Sequence, residues 1–106
     1  MKYSLSTEHL TLGETDLDLI EKKMDRLEKF LTPPFQAKIT LRHDTHHKRG
    51  DVITCRINIE NNGKVFFAKR VSDNTQNAID ETTSVLKKKL SRHRDKLKKK
   101  RWWRSR

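Results

Sequence analysis

One cysteine, two prolines and three glycines in 106 residues leave little besides packing to hold this chain together. With Cys55 alone, no internal disulfide can form, which suits a reducing compartment. No apolar run approaches the ~20 residues of a membrane span. The N-terminus lacks the charged-then-apolar stretch of a secretory signal, so the expected location is the cytoplasm. The few glycines form no phosphate-cradling loop, and no serine nucleophile motif is present. Only 32% of residues are hydrophobic, so the core must be thin. A domain of this size buries roughly 60–65% of its unfolded surface, which leaves little room for an enclosed active site. The one cluster with a metal-binding flavour is His43, His46 and His47 beside Asp44. It falls in a polar stretch, no cysteine or second cluster completes it, and it reads as a solvated loop. A metal-dependent enzyme is the reading this cluster would need. The expectation is a non-enzymatic protein without cofactor.

What the chain has in abundance is positive charge, in one place. Residues 1–86 hold thirteen Lys and Arg against thirteen Asp and Glu, whereas residues 87–106 hold twelve against Asp95 alone. The whole net charge of +11 therefore sits in the last twenty residues. A neutral body with a basic end calls for an anionic partner, either a phosphate backbone or an anionic membrane surface.

The pattern along the chain changes period several times. Tyr3 and Leu5 alternate in a short strand over 1–7, and Gly13 then breaks the chain. Thr15, with Asp18 three residues on, reads as a helix cap. Leu17, Ile20, Met24, Leu27 and Leu31 make one apolar helical stripe, which Thr32-Pro33-Pro34 ends. From Phe35 the period is two. Ala37, Ile39 and Leu41 alternate with Lys38, Thr40 and Arg42, a polar loop spans 43–50, and Ile53, Cys55, Ile57 and Ile59 alternate with Thr54, Arg56 and Asn58. Asn61-Asn62-Gly63 is a hairpin signal. A strand over 65–71 follows, whose register Val65, Phe66 and Phe67 leave open. Ser72, Asp73 or Asn74 caps a last helix. Its stripe is Ile79, Thr83, Leu86, Leu90, His93 and Leu97, and it can run to about residue 100. His93 on this stripe packs on the sheet with one nitrogen bonded, RNA contact being the alternative.

These pieces predict an α+β domain over 1–100 in the order β-α-β-β-β-α, with a basic and aromatic tail at 101–106. The crossover helix makes the first two strands parallel, and the rest is an antiparallel meander. The mixed four-stranded sheet carries both helices on one face, in the manner of a double-stranded-RNA-binding domain. The other face presents Lys38, Thr40, Arg42, Thr54, Arg56 and Asn58.

On the last helix the cations cover most of the circumference away from the apolar stripe. Like charges at i,i+4 cost a helix a few tenths of a kcal/mol each, a cost a polyanion reverses. Trp102 and Trp103 lie between Arg101 and Arg104. They can stack on unpaired bases, belong to a disordered tail, or sit at a membrane interface, which would make the segment from Lys96 onward a peripheral membrane module.

The string Asn77-Ala78-Ile79-Asp80, then Leu86, Leu90 and Arg92-His93-Arg94-Asp95-Lys96-Leu97, resembles the ribosome hibernation promoting factors, also called ribosome-associated inhibitors or ribosomal subunit interface proteins. The order of elements matches along essentially the whole chain. Gln76 and Asn77 stand where the family often has a tyrosine, and the tryptophan pair is not a family feature. The resemblance is to the short form, since long-form members carry a second domain that dimerises ribosomes. It implies binding to ribosomal RNA of the small subunit between head and body, over the messenger and transfer RNA sites, so that translation is inhibited and ribosomes are held idle under stress. It leaves room for a second hibernation factor that pairs ribosomes, and it requires no membrane. The residues matching the family's RNA contacts are Arg92, Arg94 and Lys96, with Lys88, Lys89 and Lys99 beside them. Arg26, Arg42 and Arg56 are added from their expected exposure.

Overall fold

A computed structural model describes residues 1–48 and 50–104, with side chains apart from those of 46, 47 and 100–104. The elements are β1 (Ser4–Glu8), α1 (Glu14–Glu28), β2 (Phe35–His47), β3 (Gly50–Asn61), β4 (Lys64–Ser72) and α2 (Thr75–Arg104). The sheet order is β1-β2-β3-β4, with β1 parallel to β2 and the other pairs antiparallel. The α+β fold and its β-α-β-β-β-α order are as expected.

Period-two alternation puts Ala37, Ile39 and Leu41 of β2 and Ile53, Cys55, Ile57 and Ile59 of β3 on one buried face. Ile20, Met24 and Leu27 of α1 and Ala78, Ile79, Leu86 and Leu90 of α2 close over them. Thr82 is fully buried on α2, and its hydroxyl proton lies within reach of the Ala78 carbonyl at 2.7 Å and the Cys55 carbonyl at 3.3 Å. Burial pushes the Cys55 thiol up to about 11, against a smaller opposing effect from its hydrogen bond with Thr82.

The turn between β3 and β4 is Asn62-Gly63, at φ 53° and 77°, and Asn61 pairs with Lys64 across it. Both central residues have positive φ, as a type I′ hairpin requires. This closure settles β4. Phe66 faces Ile59 and Ala68 faces Ile57 in the core, while Val65 and Phe67 point outward at 59% and 42% exposure.

Three local expectations are corrected. The start of α1 is Gly13, not Thr15: the Asp16 carboxylate accepts the Gly13 N–H at 3.2 Å and fixes the first turn earlier. The stretch read as a loop over 43–50 is strand at 43–47 and at Gly50, with a turn at Lys48. β2 runs to His47 and β3 starts at Gly50, with pairing at Asp44–Val52 and His47–Gly50 around a register shift. Ladder hydrogen bonds form a strand without alternation of burial, so hydropathy gave no sign of it. The α1 helix ends at Glu28, before the prolines, where Phe30 and Leu31 donate back to the Leu27 and Glu28 carbonyls. At the other end of the fold, Asn74 is the α2 cap, its Oδ1 accepting the Asn77 N–H at 2.8 Å.

Candidate nucleic-acid interface

The α2 helix has thirty residues, so at ~1.5 Å per residue it spans about 45 Å. The molecule measures 56 × 27 × 20 Å, and a domain this small cannot cover such a helix along its whole length. Burial stops accordingly: Leu86 and Leu90 are enclosed, His93 is half-buried, and Leu97 is 50% exposed. The backbone of α2 continues through the positions of Trp102 and Trp103. The expectations for those side chains lie outside the described residues.

The α2 cations divide between two sides of the helix. Lys88, Arg92 and Lys96 follow one another at i,i+4, with Lys89 and Lys99 at three-residue steps beside them, and all five are exposed. Lys89 anchors this stripe to the edge strand, its Nζ donating to the Phe67 carbonyl at 2.5 Å. One turn on, the His93 ring meets Phe66 edge to face, and Lys64 Nζ lies 3.2 Å from Nδ1. An ammonium can only donate, so Nδ1 is the acceptor in this contact. His93 is therefore a packing residue with a bonded nitrogen, at the boundary between core and stripe.

Arg94 lies on the other side. Its guanidinium carbon sits 4.5 Å from the Phe30 ring centroid, a cation–π contact that ties α2 to the end of α1. The edge of a guanidinium stacked in this way still offers donors to a phosphate. Arg26 is exposed on α1, between Lys23 and Phe30 on the same side of that helix. Lys23 Nζ lies 3.2 Å from Asp80 Oδ1, close but without hydrogen-bond alignment, so the contact is Coulombic. Arg94 thus lies at the cleft between the helices, away from the stripe.

The open face of the sheet forms a regular lattice. Ser6, Thr40, Arg56 and Lys69 lie in one cross-strand row, and Glu8, Arg42, Thr54 and Val71 in the next. Arg42 Nε lies 3.7 Å from Glu8 Oε2, an exposed pair of small energetic weight. Arg56 has no such carboxylate partner among the described residues; its guanidinium lies 5.8 Å from the Phe67 ring centroid. Glu8, Thr40, Arg42, Asp44, Thr54, Arg56, Lys69 and Val71 line a depression, so three cations and two carboxylates share it. The structure therefore brings Arg42 and Arg56 together, with Lys69 as a third cation that sequence reading missed. Counting register back from the Asn62-Gly63 turn would have found it.

Among the described residues no carboxylate lies within ion-pair distance of Lys88, Lys89, Arg92, Lys96 or Lys99. Nor, among them, do three His, Cys, Asp or Glu side chains gather as a metal site. The side chains of His46 and His47 lie outside the described residues. No described helix is long and apolar enough to cross a membrane. The arrangement can offer a row of cations to a polyanion, with Arg42, Arg56 and Lys69 standing among Glu8 and Asp44 on the sheet face.

Comparison with known proteins gives a consistent picture. Residues 3–98 match a family described as Sigma 54 modulation protein / S30EA ribosomal protein. The N-terminal domain of Protein Y from Thermus thermophilus is similar in structure, with a TM-score of 0.71 at 19% identity, over 88% of this chain and 99% of that one. A ribosomal subunit interface protein from Coxiella burnetii also gives 0.71, at 17% identity over 90% and 99% of the two chains. At these identities the likeness establishes the fold.

Proposed function

This chain belongs to the Sigma 54 modulation protein / S30EA ribosomal protein family, and we propose that it acts as a non-enzymatic cytoplasmic factor that binds small-subunit ribosomal RNA. In this reading it occupies the region of the messenger and transfer RNA sites, inhibits translation and preserves idle ribosomes under stress. The observation that carries the reading is the stripe Lys88, Lys89, Arg92, Lys96 and Lys99, exposed on a helix longer than its domain and with no carboxylate within ion-pair distance among the described residues. A stripe of this kind matches the spaced phosphates of a folded RNA, and arginine adds bidentate geometry to lysine's point charge. Arg94 joins it from the helix cleft, and Arg42 and Arg56 from the sheet face. The structural neighbour from Coxiella burnetii carries the description of a ribosomal subunit interface protein, which supports the same partner.

The test is cosedimentation with small subunits in sucrose gradients. The native chain travels with the subunit, and the triple variant Arg92→Ala, Arg94→Ala, Lys96→Ala does not. If 6–10 phosphates are neutralised, affinity falls on the order of 10³–10⁵ between 50 and 200 mM salt. Unchanged cosedimentation of the triple variant, or affinity indifferent to salt, overturns the reading.

A further inference from the structure

Resting on that reading of the chain as an RNA binder, we propose that Phe67, with Asn58 and Arg56, forms a stacking platform for an unpaired base of single-stranded RNA. A lone exposed aromatic is ordinary on a protein surface. The surroundings of this one are not. The Phe67 ring stands 42% exposed on a sheet face whose other members are mainly hydroxyls, amides and long cations. Asn58 is its direct cross-strand partner and is exposed, so an amide that can read a base edge lies beside the ring. Arg56 is the diagonal neighbour on one side, with its guanidinium 5.8 Å from the ring centroid, and Lys69 lies opposite Arg56. Glu60 is the diagonal neighbour on the other side, paired with Val65. The platform is therefore polar in charge: a nucleotide stacked there is directed to place its phosphates toward Arg56 and Lys69 and away from Glu60.

The same residue joins this platform to the helix. Lys89, in the first turn of the α2 stripe, donates to the backbone carbonyl of Phe67 itself. A strand that stacks one base on the ring can pass over the β4 edge and lay its next phosphates along Lys89 and Arg92. Stacking is available only to bases whose faces are open, so the platform selects single strands, whereas the α2 cations serve any phosphate backbone.

The experiment measures anisotropy of a labelled single-stranded oligoribonucleotide and of a duplex of equal length. Phe67→Leu is expected to weaken single-strand binding about tenfold, with duplex binding unchanged. Phe67→Tyr and Phe67→Trp retain single-strand binding. Thermal melts of each variant confirm folding, which is expected at a position outside the core. The platform is overturned if Phe67→Leu binds the single strand like the native chain, if it loses duplex binding equally, or if the native chain ignores single strands. Loss of subunit binding in Phe67→Leu with single-strand binding intact would assign the patch to a ribosomal protein, and also overturns it. Failure of the ribosomal reading is distinguishable: the native chain would then miss small subunits while the Phe67 variants still separate on the oligonucleotide.

Discussion

The imidazole of His93 meets the ring of Phe66 edge to face, with centroids 5.2 Å apart and planes at 60°. An aromatic pair of this geometry contributes about 0.5–1.5 kcal/mol beyond its buried area. His93→Ala should therefore lower stability by about 1 kcal/mol, a fall in Tm of roughly 4–8 °C for a domain of this size. His93→Phe should restore most of it, and neither change should alter salt-dependent RNA affinity more than slightly. Calorimetry alongside RNA titration checks both. A large affinity loss in His93→Phe would make the ring an RNA contact.

The β3–β4 hairpin depends on backbone geometry more than on contacts. Gly63 sits at φ 77°, and a Cβ built there meets nothing within 4 Å. Gly63→Ala therefore adds no clash and isolates the left-handed penalty, about 1 kcal/mol. Gly63→Asn should cost less, because asparagine tolerates that region. Urea midpoints of the two variants give the comparison.

That turn also shows how much of the fold was legible. Alternation over Ala37–Leu41 and Ile53–Ile59, and the stripes through Ile20 and Leu86, gave the elements and most of their buried faces because each has one wet and one dry side, although Leu17, the first member of its stripe, is exposed. The order and pairing of strands followed from the crossover helix and the two-residue turn. Phe66 against Phe67 was unresolved by hydropathy, since both are apolar, yet register counted from Asn61 and Lys64 decides it. The arm over 43–50 was illegible for a physical reason: its pairing lies in the ladder, which residue type reports poorly where side chains are polar. The candidate site divides similarly. Charge asymmetry located the α2 stripe. The cation–π contact of Arg94 with Phe30 and the bond from Lys89 to Phe67 join residues far apart in sequence, and no local pattern encodes them.

The α2 helix begins at Asn74, whose side chain accepts the Asn77 N–H at 2.8 Å. Asn74→Ala should cost about 1 kcal/mol, within the ~0.5–2 usual for a cap, and Asn74→Asp should keep most of the stability. The effect should appear as a lower urea midpoint with unchanged slope, since the cap adds no buried surface.

Cys55 ties stability to pH at the alkaline end. Burial raises its folded pKa to about 11 from 9.0, so between these values the folded chain holds a proton that the unfolded chain has released. Stability then falls as pH rises through that window, and this group contributes no slope below it. The difference in urea midpoint between the native chain and Cys55→Ala should shrink as pH climbs from about 8 to about 11. A constant difference would mean the thiol titrates alike in both states.

The last prediction separates charge kept for function from charge kept for structure. Lys88, Arg92 and Lys96 stand at i,i+4 along an exposed face, and each like-charge pair opposes the helix by roughly 0.2–0.5 kcal/mol. No carboxylate lies within ion-pair distance of them among the described residues, and Asp95, three residues from Arg92, is the one acid on this part of the sequence. Replacing Arg92 and Lys96 by alanine removes repulsion and introduces the strongest helix former. The variant should therefore be equal or higher in stability at low salt, with the gain fading as salt screens the native chain. Its RNA affinity should move the opposite way, and the slope of log affinity against log salt should flatten by about 0.9 for each phosphate that is no longer neutralised. The two signs together are the diagnostic. A solvated structural face would lose stability or change nothing on both axes. Opposed shifts show that the folded chain tolerates repulsion which only a polyanion relieves.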